Sequence, residues 1–173
     1  MKMARAEGYR SRASYKLLEM NERLGLFKPG QVIVDLGAAP GGWSQVAEKC
    51  TRPRGRVVAL DILAMEAIPG VEIICGDFTS DVVCAQLEET LQSSAVDLVI
   101  SDMAPNLSGM KHIDLPKAAF LVELALEFAD KVLSKGGIVV TKAFEGEGID
   151  DLRNLIRSRY AKLVNIKPKA SRG

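Results

Sequence analysis

"QVIVDLGAAPGGWSQVAEKC", residues 31–50, is the stretch on which the fold turns. Gln31 to Leu36, with Val32, Ile33 and Val34 ahead of one acid, Asp35, reads as a strand. Gly37 then opens a loop carrying Gly41 and Gly42, and "WSQVAEKC" continues at helical spacing. A strand, a glycine-rich turn and a helix in that order predict the first βα unit of a parallel sheet. The glycines let backbone approach a ligand closely, and amides at the helix start can face a carboxylate or phosphate. The dinucleotide fingerprint GxGxxG is not met, and there is no Walker Lys-Ser/Thr.

Outward from this unit, strand-like and helix-like segments alternate. "GRVVALD", "VEIICGD" and "VDLVISD" read as strands, and "DVVCAQLEETLQ" as a helix. Asp114-Leu115-Pro116 predicts an N-cap with Pro in the first turn, opening a helix to about Leu133. Ser134 to Gly137 is expected to stop that helix before a fifth strand, "GIVVTK", buried on both faces. "GIDDLRNLIRSRY" predicts the last helix and "KLVNIKP" a short strand after it. Before the sheet, "RASYKLLEMNERLGLF" reads as an amphipathic helix within a basic segment at about 1–27. The expected architecture is α/β: one domain over 1–173, mostly parallel sheet, helices on both faces.

Composition narrows the class. Of the 173 residues, 47% are hydrophobic and 26% charged, as in ordinary globular proteins. No apolar run approaches the roughly 18 residues of a membrane span, and no secretory core is visible at the start. Cys50, Cys75 and Cys84 form no CxxC pair, and Cys75 and Cys84 sit in apolar contexts that suggest small core residues. With one histidine, His112, a zinc site is not expected. A reducing cytoplasm fits this pattern, and a monomer is expected because no extra apolar helix asks for a partner. The net charge is only +1, but Lys2, Arg5, Arg10, Arg12 and Lys16 crowd one end. Arg153, Arg157, Arg159, Lys162, Lys167, Lys169 and Arg172 crowd the other. Should the ends meet, they make a basic patch able to follow a phosphate backbone; otherwise they are two solvated faces.

Four strands end at or near an acid: Asp35, Asp61, Asp77 and Asp102. Uncompensated carboxylates at one sheet edge repel, so a ligand rich in hydroxyl and amino donors is expected there. Asp61 lies where an acid can take a ribose diol, and Asp77 could accept from an exocyclic amine such as adenine N6. Ribose, adenine and a non-phosphate tail together describe S-adenosylmethionine. Lys142 closes the fifth strand, and an ammonium there needs a partner, a neutral form or an open cleft. It either snorkels to an ordinary surface or serves as an amine at the crevice.

"SRASYKL", "DLGAAPGGWSQVA", "SDMAPNLSG" and "VTKAFEGEG" together resemble the FtsJ/RrmJ-type ribosomal RNA large-subunit 2′-O-methyltransferases, in spacing as well as in residues. The resemblance implies a Rossmann-like methyltransferase fold and methyl transfer from S-adenosylmethionine to the ribose 2′-OH of a uridine. It implies that the substrate is ribosomal RNA within the assembled large subunit. By motif, Gly41 and Trp43 would line the cofactor's amino-acid end. Asp61 would hold the ribose, Asp77 the adenine and Asp102 the methionine moiety. The family's catalytic set, Lys-Asp-Lys-Glu, is matched by Lys16, Asp102 and Lys142. The resemblance places the Glu on a further, antiparallel strand past "KPKASRG", which this sequence lacks, so reduced activity is expected relative to an extended chain. Arg10 and Arg12 would contact RNA phosphates, and His112 would face solvent or RNA from a loop. Three other readings stay open: an RNA-binding assembly factor without turnover, a nicotinamide-dependent oxidoreductase, and a 2′-O-methyltransferase of tRNA or a cap. Cofactor binding without methyl transfer would mark the first, and the missing GxGxxG argues against the second.

Overall fold

A computed structural model describes residues 8–169. Lys2, Arg5 and Arg172 of the two basic clusters lie outside the described residues. The elements follow as α1 (Ala13–Leu24), β1 (Val32–Leu36), α2 (Gly42–Thr51), β2 (Arg56–Asp61) and β3 (Val71–Cys75). After these come α3 (Asp81–Leu91), β4 (Val96–Ser101), α4 (Lys111–Val132), β5 (Leu133–Thr141) and α5 (Ile149–Arg159). The five strands form one parallel sheet in the order β3-β2-β1-β4-β5.

The period-2 alternation of the strands builds a core on each side of the sheet. Val34, Leu36, Val58, Leu60 and Val99 face α3 and α4, where Leu87, Leu91, Ala125 and Phe128 meet them. Ile33, Val57, Leu98 and Ile100 face the opposite side, covered by Leu17 of α1 and by Trp43, Val46 and Ala47 of α2. Val122 and Leu126 of α4 make a smaller cluster with Leu152 of α5.

Several expectations need correction. β5 is a sheet edge among the described residues, so Ile138 to Thr141 are exposed or half-buried rather than buried on both faces. Its apolar run gave no sign of which strands would flank it. Ser134 to Gly137 do not end before the strand; they bulge within it, where the register passes from Val96↔Leu133 to Leu98↔Ile138. Gly136 sits there at φ 84. α4 begins at Lys111, not after Asp114. Asp114 lies in its first turn and reaches back to accept from Ser108 N at 2.9 Å, Ser108 Oγ at 2.8 Å and Gly109 N at 3.1 Å. That start places exposed His112 on a helix rather than in a loop. Cys75 is exposed on the β3 edge. "KLVNIKP" forms no ladder among the described residues: residues 162–168 lie outside the five-stranded sheet.

The two ends of the described chain do meet, since the Lys169 amide donates to both carboxylate oxygens of Glu19 on α1, at 3.0 and 2.8 Å. Part of the C-terminal charge is spent within the fold. Arg153 pairs with Glu145 and Asp150, and Arg159 pairs with Asp130. No helix among the described residues is long and apolar enough to cross a membrane.

Candidate active site

Register assembles the site. Leu60, Leu36, Ser101 and Thr141 are side-by-side partners across β2, β1, β4 and β5. One residue on, the next row at the carboxyl edge reads Asp61, Gly37, Asp102, Lys142. Backbone bonds extend the ladder into it: Gly37 N to Leu60 O at 2.8 Å, Asp102 N to Leu36 O at 3.3 Å and Lys142 N to Ser101 O at 2.9 Å. The row crosses the point between β1 and β4 where strand order reverses, the place where open α/β sheets hold ligands.

At its centre the Lys142 Nζ stands 3.9 Å from Asp102 Oδ1, both side chains about one-third exposed, at 38% and 32%. The Lys142 ammonium also lies 5.2 Å from the centroid of the Phe144 ring. Burial pushes the Asp102 carboxyl above its ordinary pKa, while the cations of Lys142 and then Lys16 pull it back. Lys16, half-buried on α1, also acts on that carboxylate.

Gly37 leaves β1 at φ 72, and a Cβ there would lie 2.6 Å from Met103 Cγ, so only glycine lets the loop pass the residue after Asp102. Asp61 organises that loop: its Oδ2 accepts from Ala39 N and its Oδ1 from Leu63 N, each at 2.8 Å. Asp77 lies two residues beyond β3 and is exposed. Its Oδ1 accepts from Thr79 N and Oγ1, which lowers its pKa and keeps it an anionic acceptor. Gly41 is buried at the start of α2 with φ 121. The indole of Trp43 packs inward, its Nε1 donating to Ala13 O at 2.8 Å, so the side chain joins α2 to α1 and only backbone is left to face the loop.

The fourth acid behaves differently. Asp35 lies one residue inside the strand end, on the α2 face, and is 0% exposed. Ser44 Oγ donates to its Oδ2 at 2.7 Å, while Oδ1 meets no partner among the described residues. Grouping Asp35 with the edge acids misses this depth. Arg10, expected as a phosphate contact, commits three N–H donors within the protein: its guanidinium donates to the carbonyls of Pro40, Glu66 and Ala67. No cluster of potential metal ligands occurs among the described residues.

The sequence profile of the FtsJ-like methyltransferases matches residues 9–173. This chain belongs to that family. It is 54% identical to the ribosomal RNA large subunit methyltransferase E of Pseudomonas fluorescens strain Pf0-1, across 100% of this chain and 83% of that protein. Against the methyltransferase of the same name from Legionella pneumophila strain Paris it is 52% identical, over 99% of this chain and 84% of the other. A crystal structure described as a ribosomal RNA methyltransferase of Plasmodium falciparum superposes with a TM-score of 0.87 at 29% identity, covering 94% of this chain and 93% of that one. As an FtsJ-like methyltransferase the chain is an enzyme with a Rossmann-like α/β fold, as expected from its motifs.

Proposed function

We propose that this enzyme transfers a methyl group from S-adenosylmethionine to the 2′-OH of a uridine ribose in ribosomal RNA of the assembled large subunit, as a cytoplasmic, monomeric, single-domain protein. The observation that carries the reading is the Lys142–Asp102 pair at 3.9 Å, with the Lys16 cation acting on the same carboxylate. The names of the relatives support the substrate class.

The residues of the crevice support this cofactor. Each carboxylate oxygen of Asp61 accepts one amide and keeps lone pairs for a ribose diol. Ile62 and Leu63, both 65% exposed, offer open apolar surface beside it for an adenine, and Asp77 supplies an anionic acceptor for the adenine amine. Asp102 and the backbone of Gly41 and Trp43 would take the amino-acid end. When bound, S-adenosylmethionine supplies an electrophilic methyl on a sulfonium.

The protein's own residues orient the oxygen that receives it. A ribose hydroxyl is a weak nucleophile until its proton leaves, so a base must lie within hydrogen-bond reach. Lys142 would accept that proton as the O–C bond forms and the methyl–sulfur bond breaks, and Asp102 fixes where its nitrogen stands. Lys16 holds negative charge developing at the oxygen and the flanking phosphate. Holding the oxygen in line supplies the rest of the acceleration. Arg12 contributes phosphate contact that sets register without reading sequence, and RNA shape and a splayed nucleotide supply specificity.

The test is incubation with methyl-labelled S-adenosylmethionine and large subunits from a strain lacking the enzyme, beside naked rRNA, tRNA and a Lys142→Ala protein. Label on one ribose 2′-O of the subunit, lost in Lys142→Ala, is the expected result. Label on tRNA instead, or undiminished label with Lys142→Ala, refutes the substrate or the base respectively.

A further inference from the structure

Arg10 precedes α1, where a cation reads as a contact for phosphate, yet three of its N–H donors are committed inside the protein. Nη1 donates to Pro40 O at 3.2 Å and Glu66 O at 2.6 Å, and Nη2 donates to Ala67 O at 2.8 Å. Pro40 belongs to the glycine loop. Glu66 and Ala67 belong to the connection that leaves Asp61 and leads to β3. These two segments follow β1 and β2 at the carboxyl edge of the sheet, where the cofactor is proposed to lie. We infer that Arg10 is a positioning residue of the cofactor crevice, a clamp that holds the glycine loop against the segment after β2. The inference rests on the cofactor reading above.

Arg10 is itself anchored. Its own amide donates to Gln45 Oε1 at 2.8 Å, and Gln45 Nε2 donates back to Gly8 O at 3.1 Å. One glutamine in the first turn of α2 thus fixes the backbone on both sides of Tyr9. Tyr9 packs edge-on against Tyr15 with ring centroids 6.0 Å apart, and Lys49 Nζ lies 5.6 Å from its ring. From that fixed point the arginine stem crosses Gly41. A Cβ at position 41 would lie 3.3 Å from Arg10 Cδ and Nη1 and 2.7 Å from Ile68 Cδ1. The absence of a side chain there therefore makes room for the clamp as well as allowing φ 121.

The choice of residue follows from geometry. Three carbonyls on two chain segments ask for donors at fixed spacing in one plane, which a guanidinium provides and an ammonium does not. A lysine would keep the charge and most of the stem but bond only part of the set. The Ala39 amide also donates to Asp61 Oδ2, tying the glycine loop to the end of β2.

The discriminating experiment compares Arg10→Lys and Arg10→Gln with wild type in two titrations of the full chain. The first measures S-adenosylmethionine binding by calorimetry without RNA. The second measures RNA affinity at several salt concentrations. A clamp predicts that both variants bind S-adenosylmethionine about tenfold more weakly, equivalent to ~1.4 kcal/mol. KM for S-adenosylmethionine should rise while kcat at saturating cofactor stays within about twofold, and the salt slope for RNA should not change. A merely structural arginine would lower the unfolding temperature and leave that KM unmoved well below it. Wild-type cofactor affinity in Arg10→Lys overturns the inference, as does a salt slope shallower by about 0.7–0.9, the mark of one lost phosphate contact. Should Arg10→Gln fail to fold, Arg10→Lys carries the test. A wild-type chain that binds no S-adenosylmethionine overturns the cofactor reading, a failure distinct from that of the clamp.

Discussion

Replacing Asp35 by Asn should change how stability depends on pH, and the size of the change follows from where the carboxyl sits. Burial raises the Asp35 pKa from 3.8 to about 7; Ser44 opposes that shift, while the charges of Asp102 and Asp61 add to it. Between those two values the unfolded chain has released this proton and the folded chain still holds it. The folded state binds more protons there, so stability falls as pH rises. The contribution is full below pH 3.8 and lost by about pH 7. At about 1.4 kcal/mol per pKa unit, this shift costs about 4 kcal/mol at neutral pH. Asn cannot ionise, can still accept from Ser44 Oγ and puts an NH₂ where Oδ1 stood. If that NH₂ finds no acceptor, the variant loses about 1–3 kcal/mol at every pH, an offset without slope. The measurement is urea unfolding of both proteins from about pH 5 to pH 8. Other titrating groups are shared and cancel to first order. The advantage of Asp35→Asn should grow by about 2 kcal/mol between about pH 5 and pH 7, then level off. Parallel pH profiles for the two proteins would refute the reasoning, because they would mean that folded Asp35 is ionised throughout.

Gly37→Ala forces a Cβ to within 2.6 Å of Met103 Cγ and imposes φ 72 on an L residue. Methyl transfer should drop by about tenfold or more as Asp102 is displaced, with the circular dichroism of the fold retained; full activity would show that Met103 yields freely. Trp43→Phe removes the indole donor from Ala13 O and should cost about 1–2 kcal/mol in urea unfolding, with faster amide exchange in α1. Unchanged exchange would mean that α1 is held by other contacts. Because burial raises the Asp102 pKa, the acid limb of the rate–pH profile should lie above the ordinary carboxylate value of 3.8 and shift in Asp102→Asn; an unmoved limb would assign it to another group.

The edge row was legible because counting works on strands. "VALD", "LGA", "ISD" and "VTK" each end an apolar run, and register then brings Asp61, Gly37, Asp102 and Lys142 level. The same counting separates Asp35 from the other acids. In "VIVDLG" a leucine still follows the acid before the chain leaves the strand, so its side chain is carried into the α2 face rather than to the rim. Burial of "IVVT" was misjudged because a run of apolar residues reports its own preference and says nothing about its neighbours. Arg10 was unreadable for a sharper reason. Its partners are main-chain carbonyls 30, 56 and 57 residues away, and a carbonyl leaves no trace in the identity of the residue that bears it. A cation with a carboxylate partner can be guessed from charge pattern; one satisfied by backbone cannot. Sequence reasoning therefore hands such an arginine to the nearest anion in sight, here an RNA phosphate, when the fold has already used most of its donors to close the crevice where the cofactor is proposed to lie.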